Sequence, residues 1–371
     1  MRVLVAPDKF KGSLSAREVA GAVAAGLGEL PGVIVDCCPV ADGGEGFFEA
    51  LAARPELVDG IRDPLGRPVR ARCGWLEGGA AVIEMSEASG LHRLAATERD
   101  PWQASTFGTG QLILHVASRG AARVLVGLGG SATNDAGAGA AAALGWQFLT
   151  SDGEPLEPRP SNFLAIERIE PPEEGTLPAI VAACDVGNPL LGPEGASRVY
   201  ARQKGADERM IGYLELALAH LAELVADQLG VDHRELAGAG AAGGLGYGLA
   251  TFCEAALVPG FALVAEALHI EERIAASDLV VTGEGRLDAQ TLHGKAPIQV
   301  ARLAKKLGKP VAILCGQREQ PAAGAAEWFD FVISIESLES SPALRISNAA
   351  ALVTQAARRI GQWATGSSSA D

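Results

Sequence analysis

Two short segments of this chain combine glycines with carboxylates. The first is DGGEG at residues 42–46, and the second is GEGRLD at residues 283–288. Glycines let backbone N–H groups approach an anion closely, and Asp and Glu oxygens are ligands that Mg²⁺ prefers. Arg286 adds a cation that suits phosphate. One such segment alone is equally typical of an acidic cap on a tight turn, but two indicate a site that handles phosphate and magnesium.

Lys295 lies soon after the second segment, at the start of a helix that we predict over residues 296–307. The dipole at the beginning of a helix disfavours a cation, so the position of Lys295 indicates an anionic partner. A solvated lysine is an equally good interpretation at this point.

Residues 127–135, GLGGSATND, follow the predicted strand 123–126. Formally, residues 127–132 match the G-x-G-x-x-A loop that binds dinucleotides, and Asp152 occupies the position of its ribose-binding acid. This pattern makes an NAD(P)-dependent oxidoreductase the alternative function. The short helix that follows and the Asn134-Asp135 pair argue against it, because a dinucleotide loop does not need that pair.

Three further polar segments have both a functional and a structural interpretation. Asp185 and Asn188 follow the apolar run 179–183, where a lone Asp more often caps a turn. Ser105 and Thr106 precede a helix and either bind phosphate or cap that helix. Lys204, before a long helix predicted over 207–229, is either part of a phosphate clamp or a solvated residue of a turn.

Composition excludes several classes of protein. The formal net charge of −14 argues against nucleic acid as a partner, because an acidic surface repels a phosphate backbone. The six cysteines contain no C-x-x-C pair, which argues against a structural zinc site. No Walker A loop occurs, because Lys295 and Lys309 lack its upstream glycine and following Ser or Thr. Neither a signal peptide nor a membrane span is evident, so we expect a cytoplasmic protein without a membrane partner.

The elements that must position these residues follow an α/β pattern. Short β-branched runs such as 3–5, 33–35, 278–282 and 310–314 alternate with Ala- and Leu-rich stretches of helical period. Residues 69–75 and 80–85 interrupt this rhythm and are typical of an antiparallel hairpin. We therefore predict two domains: a discontinuous one over 1–60 with 256–371, and an inserted one over 61–255.

Nine ordered motifs make the chain resemble the bacterial glycerate kinase family that yields 2-phosphoglycerate. They are APDKFKGSLS (6–15), PVADGGEG (39–46), DPLGRP (63–68), STFGTG (105–110), GGSATND (129–135), CDVGNP (184–189), QKG (203–205), GAGAAGG (238–244) and TGEGRLD (282–288). The resemblance covers nearly the whole chain. It implies two α/β domains, one flavodoxin-like and discontinuous and the other inserted with a mixed sheet, and an active site in the cleft between them.

The function that this resemblance implies is ATP- and Mg²⁺-dependent phosphorylation of D-glycerate at its C2 hydroxyl, with ADP as the other product. These kinases use no Walker A loop. Phosphoryl transfer mainly requires positioning and neutralisation of charge, which the glycine-acid-cation segments can supply. We expect small molecules as the partners, and a homodimer is left open.

The resemblance also assigns roles to residues, without deciding which loop binds nucleotide and which binds glycerate. Asp185 is the expected base, with Lys11 and Arg286 as the other catalytic residues. The expected magnesium ligands are Asp42, Glu45, Glu284 and Asp288. The other expected substrate- or nucleotide-binding residues are Asp8, Gly43, Gly44, Ser105, Thr106, Gly108, Ser131, Asn134, Asp135, Asn188, Lys204, Gly283, Gly285 and Lys295.

Overall fold

The structure is a computed structural model that describes residues 1–41, 46–51, 53–173, 177–288, 295–319 and 325–366. Strands and helices alternate along most of this length, which confirms the α/β fold class. In the described parts of the chain, helices lack the combined length and hydropathy of a membrane span.

The chain forms two compact units. The first comprises Met1–Asp42, Glu49–Leu51 and Phe261–Asp371, and the second comprises Gly43–Phe48 and Ala52–Gly260. The predicted boundary at residue 60 therefore needs correction, because it falls inside a strand, Arg54–Arg62, that pairs within the sheet of the second unit. The predicted boundary at 255 also precedes a strand of that sheet, Ala256–Val258. The expectation of an active site in the cleft between two domains stays a prediction.

The first unit contains a five-stranded sheet in which all strands are parallel. Its strands are β1 (Arg2–Pro7), β2 (Ile34–Cys37), β11 (Leu279–Leu287), β12 (Val311–Arg318) and β13 (Phe331–Ser334), in the order β13-β12-β11-β1-β2. Its helices are α1 (Ala16–Gly28), α9 (Gly260–Ala267), α10 (Ile270–Ala275), α11 (Ala296–Lys306), α12 (Ala325–Trp328), α13 (Pro342–Ser347) and α14 (Ala349–Thr365). A 3₁₀ turn spans Ile335–Ser337, and helix α2 spans Phe47–Ala50.

Helix α1 shows how the local sequence builds this unit. Ser15 caps it and forms a capping box with Glu18, which satisfies backbone N–H groups at the start of the helix. The buried side of α1 packs against α14. A Cβ at Gly26 would lie 2.3 Å from the carbonyl oxygen of Thr354, so glycine is required where the helices approach most closely.

The second unit contains a six-stranded mixed sheet. Its strands are β3 (Arg54–Arg62), β4 (Pro68–Trp75), β5 (Ala80–Glu84), β6 (Arg123–Gly127), β9 (Ala179–Ala183) and β10 (Ala256–Val258), in the order β10-β9-β6-β5-β4-β3. Strands β10, β9, β6 and β5 are parallel, and β4 pairs antiparallel with both β5 and β3. The predicted hairpin is thereby confirmed. Strands β7 (Gln147–Leu149) and β8 (Arg168–Glu170) form a separate antiparallel pair.

The helices of the second unit pack on these sheets. They are α3 (Ser86–Ser89), α4 (Phe107–Ser118), α5 (Ala138–Ala143), α6 (Ala196–Tyr200), α7 (Glu208–Leu229) and α8 (Ala241–Cys253). Short 3₁₀ helices span Leu91–Arg93, Ala96–Glu98, Pro160–Ala165 and Arg202–Lys204. One apolar core joins α4 to the mixed sheet through Ile83, Leu112 and Val126.

Two predicted elements have different bounds in the structure. Strand β11 does not end at Thr282 but continues to Leu287, because its glycine-rich part keeps pairing with β12. The glycines at 283 and 285 indicated a loop in the sequence, whereas within this strand they permit close approach of neighbouring backbone. The sequence also predicts one helix from about residue 343 to 363, but the structure has two helices there, α13 and α14, separated at Asn348.

Candidate active site

The first unit holds a cavity of about 660 Å³ where strands β1, β11 and β12 end. We call it the strand-end pocket. Its charged lining residues are Asp8, Lys9, Lys11, Glu284, Arg286, Asp288, Lys295 and Arg345, and its apolar lining residues are Phe10, Ile335, Pro342 and Ile346. Five of the charged residues are cationic and three are acidic, so the described lining is net positive in a chain whose net charge is −14.

The extension of β11 explains why Glu284 and Arg286 share this pocket. Side chains alternate along a strand, so residues two apart point to the same face. Glu284 pairs with Cys315 and Arg286 with Gln317 in the neighbouring strand. Between them, a Cβ at Gly285 would lie 3.1 Å from the backbone nitrogen of Lys11. The glycine therefore allows the segment after β1 to lie directly against β11 and to bring Lys11 to the pocket.

Opposite charges alternate across the strand-end pocket. The Nζ atom of Lys295 lies 3.7 Å from Glu284 Oε2 and 3.7 Å from Asp288 Oδ1. Arg286 pairs with Glu319, and its Nε lies 4.0 Å from Asp288 Oδ2. The carboxylate of Glu284 is only 5% exposed, and the side chain of Arg286 is 55% exposed. Lys295 is the N-cap residue of α11, and these two carboxylates are its anionic neighbours.

Asp8 lies at the end of β1, deeper in the same pocket. Its backbone N–H donates to the carbonyl oxygen of Gly283, and its Oδ1 accepts from the backbone N–H of Lys9. The structure thus brings together in one pocket seven of the predicted residues, whereas Gly283 is not part of the lining: Asp8, Lys11, Glu284, Gly285, Arg286, Asp288 and Lys295 line it together with Lys9, which was not predicted. Asp42, Gly43, Gly44 and Glu45 lie outside the described residues.

The predicted residues of the second unit have more buried positions. Asp135 is fully buried and accepts hydrogen bonds from Thr106 N at 2.7 Å and Thr106 Oγ1 at 2.8 Å. The backbone N–H groups of Gly137 and Gly139 also donate to it, at 3.2 and 3.3 Å. Burial nevertheless raises the pKa of the Asp135 carboxyl above its usual range. The polar atoms of Thr106 and Asp135 are therefore engaged with each other inside the protein.

The STFGTG motif starts helix α4. Ser105 Oγ accepts from the backbone N–H of Phe107 at 3.2 Å, which corresponds to the capping interpretation of this motif. A Cβ at Gly108 would lie 1.9 Å from the carbonyl oxygen of Arg62. Gly108 is therefore required for close packing of α4 on the chain beside it.

Lys204 is 2% exposed and does not lie in an open phosphate clamp. Its Nζ donates to the carbonyl oxygen of Thr133 at 2.6 Å and to Ser131 Oγ at 3.3 Å. Burial lowers the pKa of the Lys204 ammonium to about 7, and the charge of Asp135 partly opposes that shift. Among the described residues, Lys204 contacts the 131–135 loop, which follows strand β6.

Asn134 occupies the same loop and is completely buried. Its Nδ2 donates to Ser197 Oγ at 2.9 Å. Its Oδ1 atom has no hydrogen-bond partner among the described residues. Buried amide oxygens are nearly always paired, so Asn134 Oδ1 is an acceptor for a group that the described residues do not supply.

Asp185 follows strand β9 and is exposed. Its Oδ1 accepts a hydrogen bond of 2.9 Å from the backbone N–H of Gly260, the first residue of α9. Three residues later, the side-chain oxygen of Asn188 accepts a hydrogen bond from the hydroxyl of Tyr200, and its Nδ2 donates to the carbonyl oxygen of Glu194. The carboxylate of Asp185 therefore has a fixed orientation, whereas the polar atoms of Asn188 serve its own turn.

The dinucleotide interpretation of residues 127–132 does not match the local structure. Helix α5 begins only at Ala138 and ends at Ala143, so no helix starts beside the glycines. In a dinucleotide-binding fold, the helix that receives the pyrophosphate starts at the glycine loop. The oxidoreductase alternative loses its structural basis here.

Sequence reasoning missed several residues of the strand-end pocket. Arg345 is 7% exposed and donates to Glu336 Oε1 at 3.2 Å and to two backbone carbonyl oxygens. Pro342, Ile335 and Ile346 form an apolar wall beside it. These residues belong to no glycine-acid segment, and we find no signal in the sequence that would have placed them in the pocket.

Comparison with known proteins agrees with the resemblance seen in the sequence. A sequence model described as "Glycerate kinase family" matches residues 3–365. Glycerate 2-kinase of Escherichia coli strain K12 is 44% identical over 326 residues, 85% of each chain. Glycerate kinase of Bacillus subtilis strain 168 is 43% identical over 324 residues, also 85% of each chain.

A solved structure extends the similarity to the whole fold. It is a crystal structure of a protein from Salmonella typhimurium LT2, provisionally described as glycerate kinase 2. The two share 41% sequence identity and a TM-score of 0.86, over 99% of this chain and 98% of the other.

Proposed function

Because this chain belongs to the glycerate kinase family, we propose that it transfers the γ-phosphoryl group of ATP to the C2 hydroxyl of D-glycerate. The chain is an enzyme of the kinase class, and glycerate is its substrate. The products are then 2-phosphoglycerate and ADP. The comparisons provide no support for an oxidoreductase.

The single observation that carries the nucleotide part of this proposal is the composition of the strand-end pocket. A net positive lining in an acidic protein attracts a polyphosphate. The apolar wall of Ile335, Pro342 and Ile346 suits the flat faces of a purine. We therefore assign the nucleotide to this pocket, with its phosphates towards Lys11 and Arg286.

Glu284 and Asp288 would hold magnesium. They fit the ion because both are carboxylates, the oxygen ligands of hard cations, and both already lie within 3.7 Å of one cationic atom, Lys295 Nζ. When bound, Mg²⁺ supplies neutralisation of phosphate charge. Asp42 and Glu45 stay predicted ligands outside the described residues.

The cations of the chain supply the rest of the electrostatic stabilisation. In phosphoryl transfer, negative charge spreads over the oxygens of the transferring group, and fixed cations stabilise it without reorganisation. Lys11, Arg286 and Lys295 line the pocket with such charges. Arg286 presents a planar guanidinium from a strand, which limits its freedom and favours paired hydrogen bonds to phosphate.

In the second unit, we assign the hydroxy acid to the 131–135 loop and to Asp185. The side chain of Asp185 is exposed, and the backbone N–H of Gly260 orients its carboxylate, which suits this group to accept the proton of the C2 hydroxyl. Asn134 Oδ1 offers an acceptor for a substrate hydroxyl.

The test is a reaction with the purified full chain, MgATP and D-glycerate. We expect equimolar ADP and a phosphorylated product, and phosphorus NMR should place the phosphate on C2. A product phosphorylated on C3 would contradict the regiochemistry, and the absence of ADP formation would overturn the kinase proposal.

A binding measurement separates the nucleotide assignment from turnover. Ligands that bind the native state raise the melting temperature, so MgATP should raise it and NAD should not. Arg286→Ala should weaken the stabilisation by MgATP, while Arg318→Ala, an exposed neighbour outside the pocket lining, should leave it unchanged. Equal weakening in both variants would contradict the assignment.

A further inference from the structure

Lys204 is a buried cation whose hydrogen bonds all go to one loop. Its two acceptors among the described residues are the Thr133 carbonyl oxygen and Ser131 Oγ. A lysine is seldom fully buried without strong partners, because its ammonium loses its hydration. A purely apolar packing role would therefore not require this residue.

The backbone at Lys204 and Gly205 is conformationally constrained. Lys204 ends the 3₁₀ helix Arg202–Lys204, and Gly205 follows with a φ of +104°. A Cβ at Gly205 would lie 2.6 Å from the carbonyl oxygen of Arg99. This close approach and the left-handed conformation both require glycine, so the ammonium is presented from a fixed base.

The glycine-rich start of helix α8 also contacts this loop. A Cβ at Gly243 would lie 1.9 Å from the same Thr133 carbonyl oxygen, and Gly243 has a φ of +71°. Ser131 Oγ also donates to the carbonyl oxygen of Ala242 at 3.0 Å. The start of α8 and the ammonium of Lys204 therefore both contact the loop at Ser131 and Thr133.

The position of this loop links Lys204 to the reaction. The loop follows the carboxyl end of the parallel strand β6, where open α/β sheets bind their ligands. We propose that Lys204 is a positioning residue for glycerate phosphorylation, because its ammonium holds the backbone of residues 131–133 so that Asn134 presents its side-chain oxygen to the hydroxy acid. This inference rests on the assignment of the hydroxy acid to the 131–135 loop.

Charge distinguishes this role from simple packing. Among the described residues, the charge of Asp135 raises the pKa of Lys204. The carboxylate of Asp135 accepts its own hydrogen bonds from Thr106, Gly137 and Gly139. Burial disfavours the Lys204 ammonium, as its lowered pKa indicates, so an apolar side chain of similar volume removes that desolvation cost. Loss of activity without loss of stability would therefore identify positioning rather than structural support.

The experiment compares Lys204→Met and Lys204→Gln with the wild type, using MgATP and D-glycerate. We expect kcat to fall ~10–100-fold in Lys204→Met, because a misplaced binding loop costs about that much. We also expect the melting temperature to be unchanged or higher, and the KM for MgATP to stay within about twofold of the wild type. Lys306→Met, which removes an exposed lysine of α11, is the control and should retain wild-type kinetics.

A pH profile provides the second readout. Because the pKa of Lys204 is about 7, wild-type kcat should decline from pH 7 to pH 8.5 as the ammonium loses its proton. Lys204→Gln has no such proton and should lack that decline, even if Lys204→Met does not fold. Wild-type kcat in either folded variant, or the same decline in Lys204→Gln, would overturn the inference. An inactive wild type would instead contradict the proposed function.

Discussion

The strand-end pocket and the 131–135 loop both combine charged residues with glycines after parallel strands, yet their charges have different surroundings. In the pocket, Arg286 and Lys295 are 55% and 33% exposed and lie beside the carboxylates of Glu284 and Asp288, which are largely buried. In the loop, Asp135 and Asn134 are completely buried, and Lys204 is 2% exposed. The cations of the pocket are accessible to a ligand, whereas the charges around the loop maintain its shape and leave the side-chain oxygen of Asn134 as its unpartnered acceptor among the described residues.

The difference teaches that residue type and spacing do not decide whether a charge faces a ligand. Glycines in β11 bring the backbone after β1 close and leave the charged side chains at the edge of the sheet. Glycines in α8 instead allow a helix to cover the 131–135 loop, so the polar groups of that loop turn inward. The neighbours of the glycines, and not the glycines themselves, determine the outcome.

The largest expected effect concerns Asp185, the exposed carboxylate of the second unit. If it accepts the proton of the C2 hydroxyl, Asp185→Asn should lower kcat by ~10²–10⁴ while the melting temperature changes little, because an amide keeps the hydrogen bond from Gly260 N but is not a base. Steady-state kinetics and thermal unfolding measure both quantities. A near-wild-type kcat would contradict the role of Asp185 as the base and would leave it a structural role in its turn.

The next effect concerns Arg286 in the strand-end pocket. Removing one fixed donor from a developing charge commonly costs ~10²–10³ in rate, so Arg286→Ala should lower kcat/KM for MgATP by that factor. Arg318→Ala is the matched control, because Arg318 is an exposed arginine of the same strand pair outside the pocket lining. A similar loss in both variants would indicate general electrostatic attraction rather than a specific contact.

The third effect tests whether the buried carboxylate of Asp135 contributes more to stability than the pocket carboxylate of Asp288. Asp135→Ala leaves the donors of Thr106, Gly137 and Gly139 without their acceptor, and we expect a loss of roughly 2–4 kcal/mol in the free energy of unfolding. Asp288→Ala at the pocket should change that free energy by less than about 1 kcal/mol. Urea unfolding measures both. Equal losses would remove the distinction between the two regions.

The smallest effect is the pH dependence of stability due to Lys204. Its pKa in the folded state is lowered to about 7 from 10.5, so between these values the unfolded chain binds more protons. The free energy of unfolding should therefore rise with pH in this window, by at most about 1.4 kcal/mol per pH unit. Lys204→Met should show less of this rise at pH 7.5 and 8.5. An identical rise in both proteins would mean that other groups produce it.

The sequence predicted the elements whose signals are local. The apolar run 179–183 is strand β9 at those bounds, and the hairpin of β4 and β5 forms where alternating residues flank a glycine pair. The sequence predicts Ser13 or Ser15 as the cap of α1, and the structure has Ser15. These features depend on side-chain periodicity and capping within a few residues, so the chain itself contains the necessary information. The glycine-acid-cation motifs likewise identified the family, which the comparisons confirm.

The tertiary structure alone decided which of those motifs line a pocket. The sequence ended β11 at Thr282, because pairing with β12 as far as Leu287 is a long-range interaction that no local pattern encodes. The sequence left Lys204 between a phosphate clamp and a solvated turn, and neither interpretation included its burial against the 131–135 loop. Arg345 and the apolar wall of Pro342 and Ile346 reach the pocket from elements far along the chain. Local sequence determines which groups are available, whereas packing between distant segments determines their solvation and hence their chemistry.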